Sequence, residues 1–204
     1  MRSAVIAKVK DEELVKARRR QIVDAAVAVF LDKSYHNATV GDVAQRVGIS
    51  QGAMYTYVRS KDDILYMICA EAVEAHNEAV QQAIAPHTDP VARLRAAIHA
   101  FVVSIHATRD STLVVYREAH DLEPRSIKAL LAKAGAFIAT FETLLVEAKC
   151  CKSPDSRVML ANIVTYLPTV IANRAWYWRS RVSRDKIIAE TSAFILRGLG
   201  LEKT

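Results

Sequence analysis

The chain has 204 residues, 51% of them hydrophobic, enough to bury a core in one body or in a small domain beside a larger one. Its net charge of +6 is uneven: residues 1–61 hold 11 Lys/Arg against 6 Asp/Glu, residues 62–204 hold 17 against 16, so a polyanion partner is expected at one end only. Three cysteines, with Cys150 and Cys151 adjacent, make no disulfide framework, no ligand spacing beside them suits a metal, and no nucleophile–base–orienter set marks an enzyme.

The first ten residues are charged with no apolar run behind them, so no signal peptide is expected; they are expected to fray, with Arg2, Lys8 and Lys10 in reach of a phosphate backbone. The longest uncharged stretch near the C-terminus, residues 158–173, is short and polar for a membrane span. The expected location is the cytoplasm, with no membrane contact. A first helix is expected over residues 11–32, where Ile22, Ala25, Ala26, Val29 and Phe30 share one face. Lys16, Arg18, Arg19 and Arg20 crowd its early turns against the helix macrodipole, which fits either DNA phosphates or plain solvation.

Next comes TVGDVAQRVGISQGAMYTYVRSK, residues 39–61. Thr39 with Asp42 forms a capping-box pattern, Val40, Val43, Ala44 and Val47 give an inward face, and Gly48 suits a left-handed stop. Ser50 caps a second short helix, Gln51 to Tyr55, which makes a helix-turn-helix whose second helix lies in the major groove. The expected DNA-contacting residues are Thr39, Gln51, Gly52, Ala53, Tyr55, Tyr57 and Lys61. Among them Gln51 suits a base edge, and Lys61 with the first amides of the next helix suits a phosphate. The Tyr55 and Tyr57 hydroxyls can donate to phosphates, or the rings can pack the core.

Residues 19–65 resemble the N-terminal domain of the TetR family of bacterial transcriptional regulators. The matching pieces are Ile22, Ala25-Ala26, Phe30, Tyr35, Thr39, Val43-Ala44, Val47-Gly48-Ile49-Ser50, Gly52, Tyr55-Thr56-Tyr57, Ser60-Lys61 and Leu65. Ser34 stands where the family usually has Gly and Val58 where it usually has Phe, departures expected to touch local packing alone. The resemblance implies an all-α fold of about nine helices. A DNA-binding helix-turn-helix domain over residues 1–61 would precede a ligand-binding and dimerisation domain over residues 62–204. It implies a double-stranded DNA operator as partner, repression relieved or imposed by a small-molecule effector, no cofactor, and a homodimer paired through the last two helices. Two-fold pairing also follows from DNA physics, because one short helix reads few bases whereas a dimer reads paired half-sites.

Downstream, helices are expected from Lys61 to about Ala83, from Pro90, from Asp110, from Pro124 to about Lys149, from Pro154 to about Ser180 with a kink at Pro168, and after Ser183. The fourth of these is apolar over too wide an arc for a surface helix and is expected to be largely enclosed. Candidate ligand-binding residues are Phe101, Ile105, Tyr116, His120, Phe137, Phe141, Asn162, Tyr166, Asn173 and Trp176; for each aromatic, plain core packing is the competing reading. Tyr116-Arg117-Glu118 with Leu122-Glu123-Pro124, and the run from Asn173 to Arg179, resemble a TetR subgroup responsive to acyl-CoA thioesters. Aliphatic and aromatic walls suit an acyl chain, and Arg117, Arg174 and Arg179 suit CoA phosphates or surface salt bridges. A drug-like or aromatic effector is the alternative, and a cationic one would call for buried acids.

Overall fold

The computed structural model describes residues 2–202, with side chains from residue 14 onward. Among the described residues there are helices and no strand: α1 (Arg2–Asn37), α2 (Val40–Val47), α3 (Gln51–Met54), α4 (Lys61–Ile84), α5 (Pro90–Ala107), α6 (Arg109–Glu118), α7 (Pro124–Glu147), α8 (Pro154–Tyr166), α9 (Val170–Asn173), α10 (Ala175–Trp178) and α11 (Arg184–Gly198), with 3-10 turns at Ala119–Asp121 and Leu167–Thr169. The all-helical fold expected from the sequence is therefore present.

Several features depart from expectation. Helix α1 begins at Arg2 rather than near residue 11, so the frayed start is helical; the Arg2, Lys8 and Lys10 side chains lie outside the described residues. Ser34 interrupts α1 with φ 63° and ψ 160°, a region that costs any residue with a Cβ. The departure at Ser34 therefore bears on the backbone and not, as expected, on packing alone. The kink at Pro168 is a full break. Lacking its N–H, Pro168 sits in a 3-10 turn closed by Thr169 Oγ1 donating to the Tyr166 carbonyl at 2.7 Å, and the expected eighth helix becomes α8, α9 and α10.

Two apolar clusters share α4. The first joins Ile22, Ala26 and Phe30 of α1 with Val43, Met54, Ile64, Leu65 and Ile68, and reaches Val114, Leu122 and Leu130. The second joins Val80 of α4 with Leu94, Ile98, Phe101, Phe141, Leu144, Ala161, Ile188 and Ile195. Helix α7 is long and apolar enough to cross a membrane, yet Phe137, Phe141, Leu144 and Leu145 build the second cluster. It is not largely enclosed: Leu131 and Val146 are exposed, beside the small residues Gly135, Ala136 and Ala139, which leave that face little apolar bulk to hide.

Candidate nucleic-acid interface and ligand cavity

The helix-turn-helix is held chiefly by bonds that span three or four residues. The Asp42 amide donates to Thr39 Oγ1 at 3.1 Å, while the Thr39 amide and hydroxyl both donate to Asp42 Oδ2, at 2.9 and 2.8 Å. Lys33 Nζ donates to the other carboxylate oxygen at 2.7 Å; that bond first, then those from Thr39, hold the Asp42 carboxyl down to about 2. Gly48 stops α2 at φ 81°, a conformation a side chain would strain. Ser50 Oγ accepts from the Ala53 amide at 3.1 Å and starts α3. On this frame Thr39, Gln51, Gly52 and Tyr55 are exposed, Ala53 is half-buried, and Met54 is wholly buried beneath them. Tyr57 is half-buried against the first cluster, so of the two tyrosines Tyr55 is the one turned to solvent.

Lys61 has a different role from the phosphate contact expected of it. Its Nζ donates to the carbonyls of Tyr35 (2.6 Å), Ala38 (3.0 Å) and His36 (3.2 Å) and lies 4.4 Å from the centre of the Tyr35 ring. All three ammonium protons are used on the chain just past the Ser34 break, where orphan carbonyls at the end of α1 need donors. The next residue faces the other way. Asp62 is buried, its Oδ1 accepts from the Glu123 amide at 2.7 Å and its Oδ2 from the Ser126 hydroxyl at 2.9 Å, so α4 supplies the cap that α7 lacks in its own sequence. Beside this bridge, His36 Nε2 lies 3.3 Å from Asp121 Oδ2. The start of α4 therefore grips α1 with one residue and α7 with the next.

Behind the bridge, α4, α5, α6, α7 and α8 line a partly open cavity of about 420 Å³. Phe101, Ile105, Val115, Leu130, Phe137 and Ile138 give it apolar walls; no Asp, Glu, Lys or Arg is among its lining residues. At its inner side His76 is buried, with Nδ1 2.8 Å from Ser104 Oγ and its ring edge-on to Phe101 at 5.3 Å between centres. Burial holds the imidazole down to about 4, so it is neutral near pH 7. At the outer side Tyr116 and Tyr166 meet edge to face at 5.8 Å. Both also line an open groove of about 810 Å³ that runs past Asn162 and Thr169 to Asn173 and Arg174.

Residues 22–66 match the family described as bacterial regulatory proteins, tetR family, and residues 87–199 match the tetracyclin repressor-like C-terminal domain. The chain belongs to the TetR family. It is a TetR-type transcriptional regulator, and the helix-turn-helix is this family's DNA-reading unit. The chain is 33% identical to the HTH-type transcriptional regulator HbdR of Aromatoleum sp. (strain CIB) over 127 residues, 62% of this chain and 55% of that one, so the likeness spans about half of HbdR. It is 26% identical to the HTH-type transcriptional activator FasR of Mycolicibacterium smegmatis over 186 residues, 89% of this chain and 83% of that protein. Its fold resembles that of AibR solved with isovaleryl coenzyme A and operator DNA, with a TM-score of 0.72 at 16% identity, covering 87% of this chain and 97% of that one.

In this TetR-family fold, seven of the ten expected ligand residues line the cavity: Phe101, Ile105, Tyr116, His120, Phe137, Asn162 and Tyr166. The other three do not. Phe141 is fully buried behind Phe101 and Phe137, whose rings lie 5.9 and 5.4 Å away and screen it from the cavity. Asn173 lines the outer groove and gives its amide to the Thr169 carbonyl one turn back at 3.1 Å. Trp176 is 74% exposed, because the break at Pro168 re-aims α10 to the surface, where its ring meets Tyr177. Asn162 likewise satisfies itself on the Val158 carbonyl at 2.8 Å. Of the arginines, Arg174 lines the groove while Arg179 approaches Asp110 at 3.8 Å. The buried pair His76 and Ser104 went unforeseen; a histidine on the inward stripe of α4 was its one sequence signal.

Proposed function

We propose that the protein is an effector-responsive repressor that binds operator DNA as a homodimer and senses an acyl-CoA thioester. In this reading residues 1–61 read DNA, with Gln51 on a base edge and Thr39, Gly52, Ala53, Tyr55 and Tyr57 against the backbone. Residues 62–204 hold the effector and the partner subunit, and the protein works in the cytoplasm. The observation that carries the ligand class is an apolar cavity without Asp, Glu, Lys or Arg in its lining, sharing Tyr116, Asn162, Tyr166 and Thr169 with an open groove that ends at Arg174. A chain fits inside, where each buried methylene contributes about 0.8 kcal/mol, and a phosphorylated head fits outside beside a guanidinium. AibR, solved with isovaleryl coenzyme A and operator DNA, supports the same ligand class. A cationic drug-like effector fits less well, because no acid lines the cavity.

Dimerisation is supported by the apolar residues left exposed on the last helices: Met159 and Ile163 on α8, Trp176 on α10 and Phe194 on α11. Together they form more exposed apolar bulk than a monomer's surface usually keeps. Coupling runs through the start of α4. An effector that alters the spacing of α6 and α7 moves Asp62, and the adjacent Lys61 carries that shift to α1; differential affinity for the two arrangements is what changes DNA binding.

The test is direct binding of octanoyl-CoA and free octanoate to the full-length protein by titration calorimetry. The thioester should bind at least roughly tenfold tighter, and Arg174→Ala should weaken the thioester while leaving the free acid unchanged. Equal affinity for the two in the unaltered protein would rule the thioester class out.

A further inference from the structure

Several hydroxyls on the C-terminal helices are spent on their own backbone. Thr108, Thr140, Thr143 and Thr165 each donate to the carbonyl one turn back, at 2.8, 3.3, 3.1 and 2.7 Å. Ser104 is different. Among the described residues its hydroxyl makes no such bond, and the acceptor within reach is His76 Nδ1 at 2.8 Å. The Ser104 proton therefore goes to Nδ1, and the ring's own proton sits on Nε2. That nitrogen has no hydrogen-bond partner among the described residues, and the ring lines the cavity. His76 as a whole is 8% exposed, so what its Nε2–H can reach is the cavity, and an acceptor held there can pair with it.

The position is informative too. Tyr116, Asn162, Tyr166 and Thr169 line both the cavity and the outer groove, whereas His76 lines the cavity alone, against Phe101 and Phe137. The donor thus sits away from the mouth, where a thioester carbonyl would lie if the CoA head occupied the groove. No charged side chain lines the cavity. A carboxylate at the inner end would find one neutral donor and no cation, and would be buried at high cost.

We infer that the effector's buried acyl chain carries a neutral acceptor oxygen, a hydroxyl or a ketone, beyond the thioester, and that His76, held in the donor tautomer by Ser104, selects it. This rests on the acyl-CoA reading given above. His76 is the contact residue, and Ser104 acts through it as a positioning residue.

The experiment measures dissociation constants of the full-length protein for octanoyl-CoA and its 3-hydroxy and 5-hydroxy counterparts, in the unaltered protein, His76→Phe and Ser104→Ala. At least one hydroxylated thioester should bind roughly tenfold tighter than the saturated one, about the worth of one hydrogen bond. His76→Phe, an aromatic ring placed among Phe101 and Phe137, should keep saturated binding and lose the preference. Ser104→Ala, which frees the tautomer without emptying the site, should reduce the preference while keeping the fold, and so decides the matter if the His76 variant does not fold. Equal affinity for all three thioesters in the unaltered protein overturns the role of His76 and leaves the acyl-CoA reading standing. A preference that survives both substitutions overturns it as well. Failure of all three thioesters to bind overturns the acyl-CoA reading and this inference with it.

Discussion

At the DNA-reading end, the bonds that set the geometry are local: Thr39 with Asp42, Ser50 with Ala53 and Ser60 with Asp63 are each three residues apart. At the cavity end the corresponding bonds are long-range: His76 to Ser104 spans 28 residues, Asp62 to Glu123 spans 61 and Asp62 to Ser126 spans 64. A reading head must present the same face whatever the effector does, and short-range caps fix it independently of the rest. A sensor must register how distant helices sit, and bonds between helices are the ones that change when they move. The start of α4 is where the two styles meet, with Lys61 and Asp62 tying one end to the other through adjacent residues.

The largest effect on this division should come from Asp62→Ala. It strips acceptors from the Glu123 amide and the buried Ser126 hydroxyl, both now paired with a carboxylate. Stability should fall by about 3 kcal/mol in denaturant unfolding, given the worth of charged hydrogen bonds in partly buried sites. DNA affinity without effector should persist, because the reading head keeps its own caps, but the change in affinity on adding effector should shrink toward none. Full effector response in Asp62→Ala would mean that the two ends communicate by another route.

Lys61→Met sharpens the same comparison from the other side. Three carbonyls past the Ser34 break lose their donor, at a cost of about 2 kcal/mol. If Lys61 holds the fold as its bonds indicate, DNA binding weakens while the dependence of affinity on salt keeps its slope, since no phosphate contact is lost. A slope reduced by about one unit would instead restore a phosphate role. Gln51→Ala is the control: it should relax specificity at one base position and leave stability unchanged.

Legibility followed the same division. The caps at Thr39 and Ser50 and the stop at Gly48 could be read from residues three or four apart, because that is the distance over which they act. The apolar stripe of α5 led to Phe101 and Ile105 by period alone. The bonds of Lys61 were not legible because its partners are carbonyls, which every residue carries and no sequence pattern marks. The pairing of His76 with Ser104 was hidden because neither residue signals the other across 28 positions. Trp176 was misplaced because one helix was expected through Pro168; the break turns every residue after it onto a different face.

Ser34 gives the smallest effect and the cleanest sign. Its φ of 63° and ψ of 160° belong to a region that is essentially glycine's, and holding a side chain there costs about 1–3 kcal/mol. Part is returned by Ser34 Oγ accepting from Asn37 Nδ2 at 3.3 Å, a long bond worth little, and glycine loosens the unfolded chain by about 0.4–1 kcal/mol. The balance favours Ser34→Gly by about 1 kcal/mol, a rise of about 2–4 °C in Tm for a chain of this size. Ser34→Ala keeps the strain and loses the bond, so it should melt below the unaltered protein. Because the turn at Ser34 delivers the Tyr35, His36 and Ala38 carbonyls to Lys61, the gain from glycine should survive in the Lys61→Met background only if the strain is local to the backbone. If the gain vanishes there, the Lys61 grip is what forces Ser34 out of the helical region, and the two ends of the molecule are in tension at that residue.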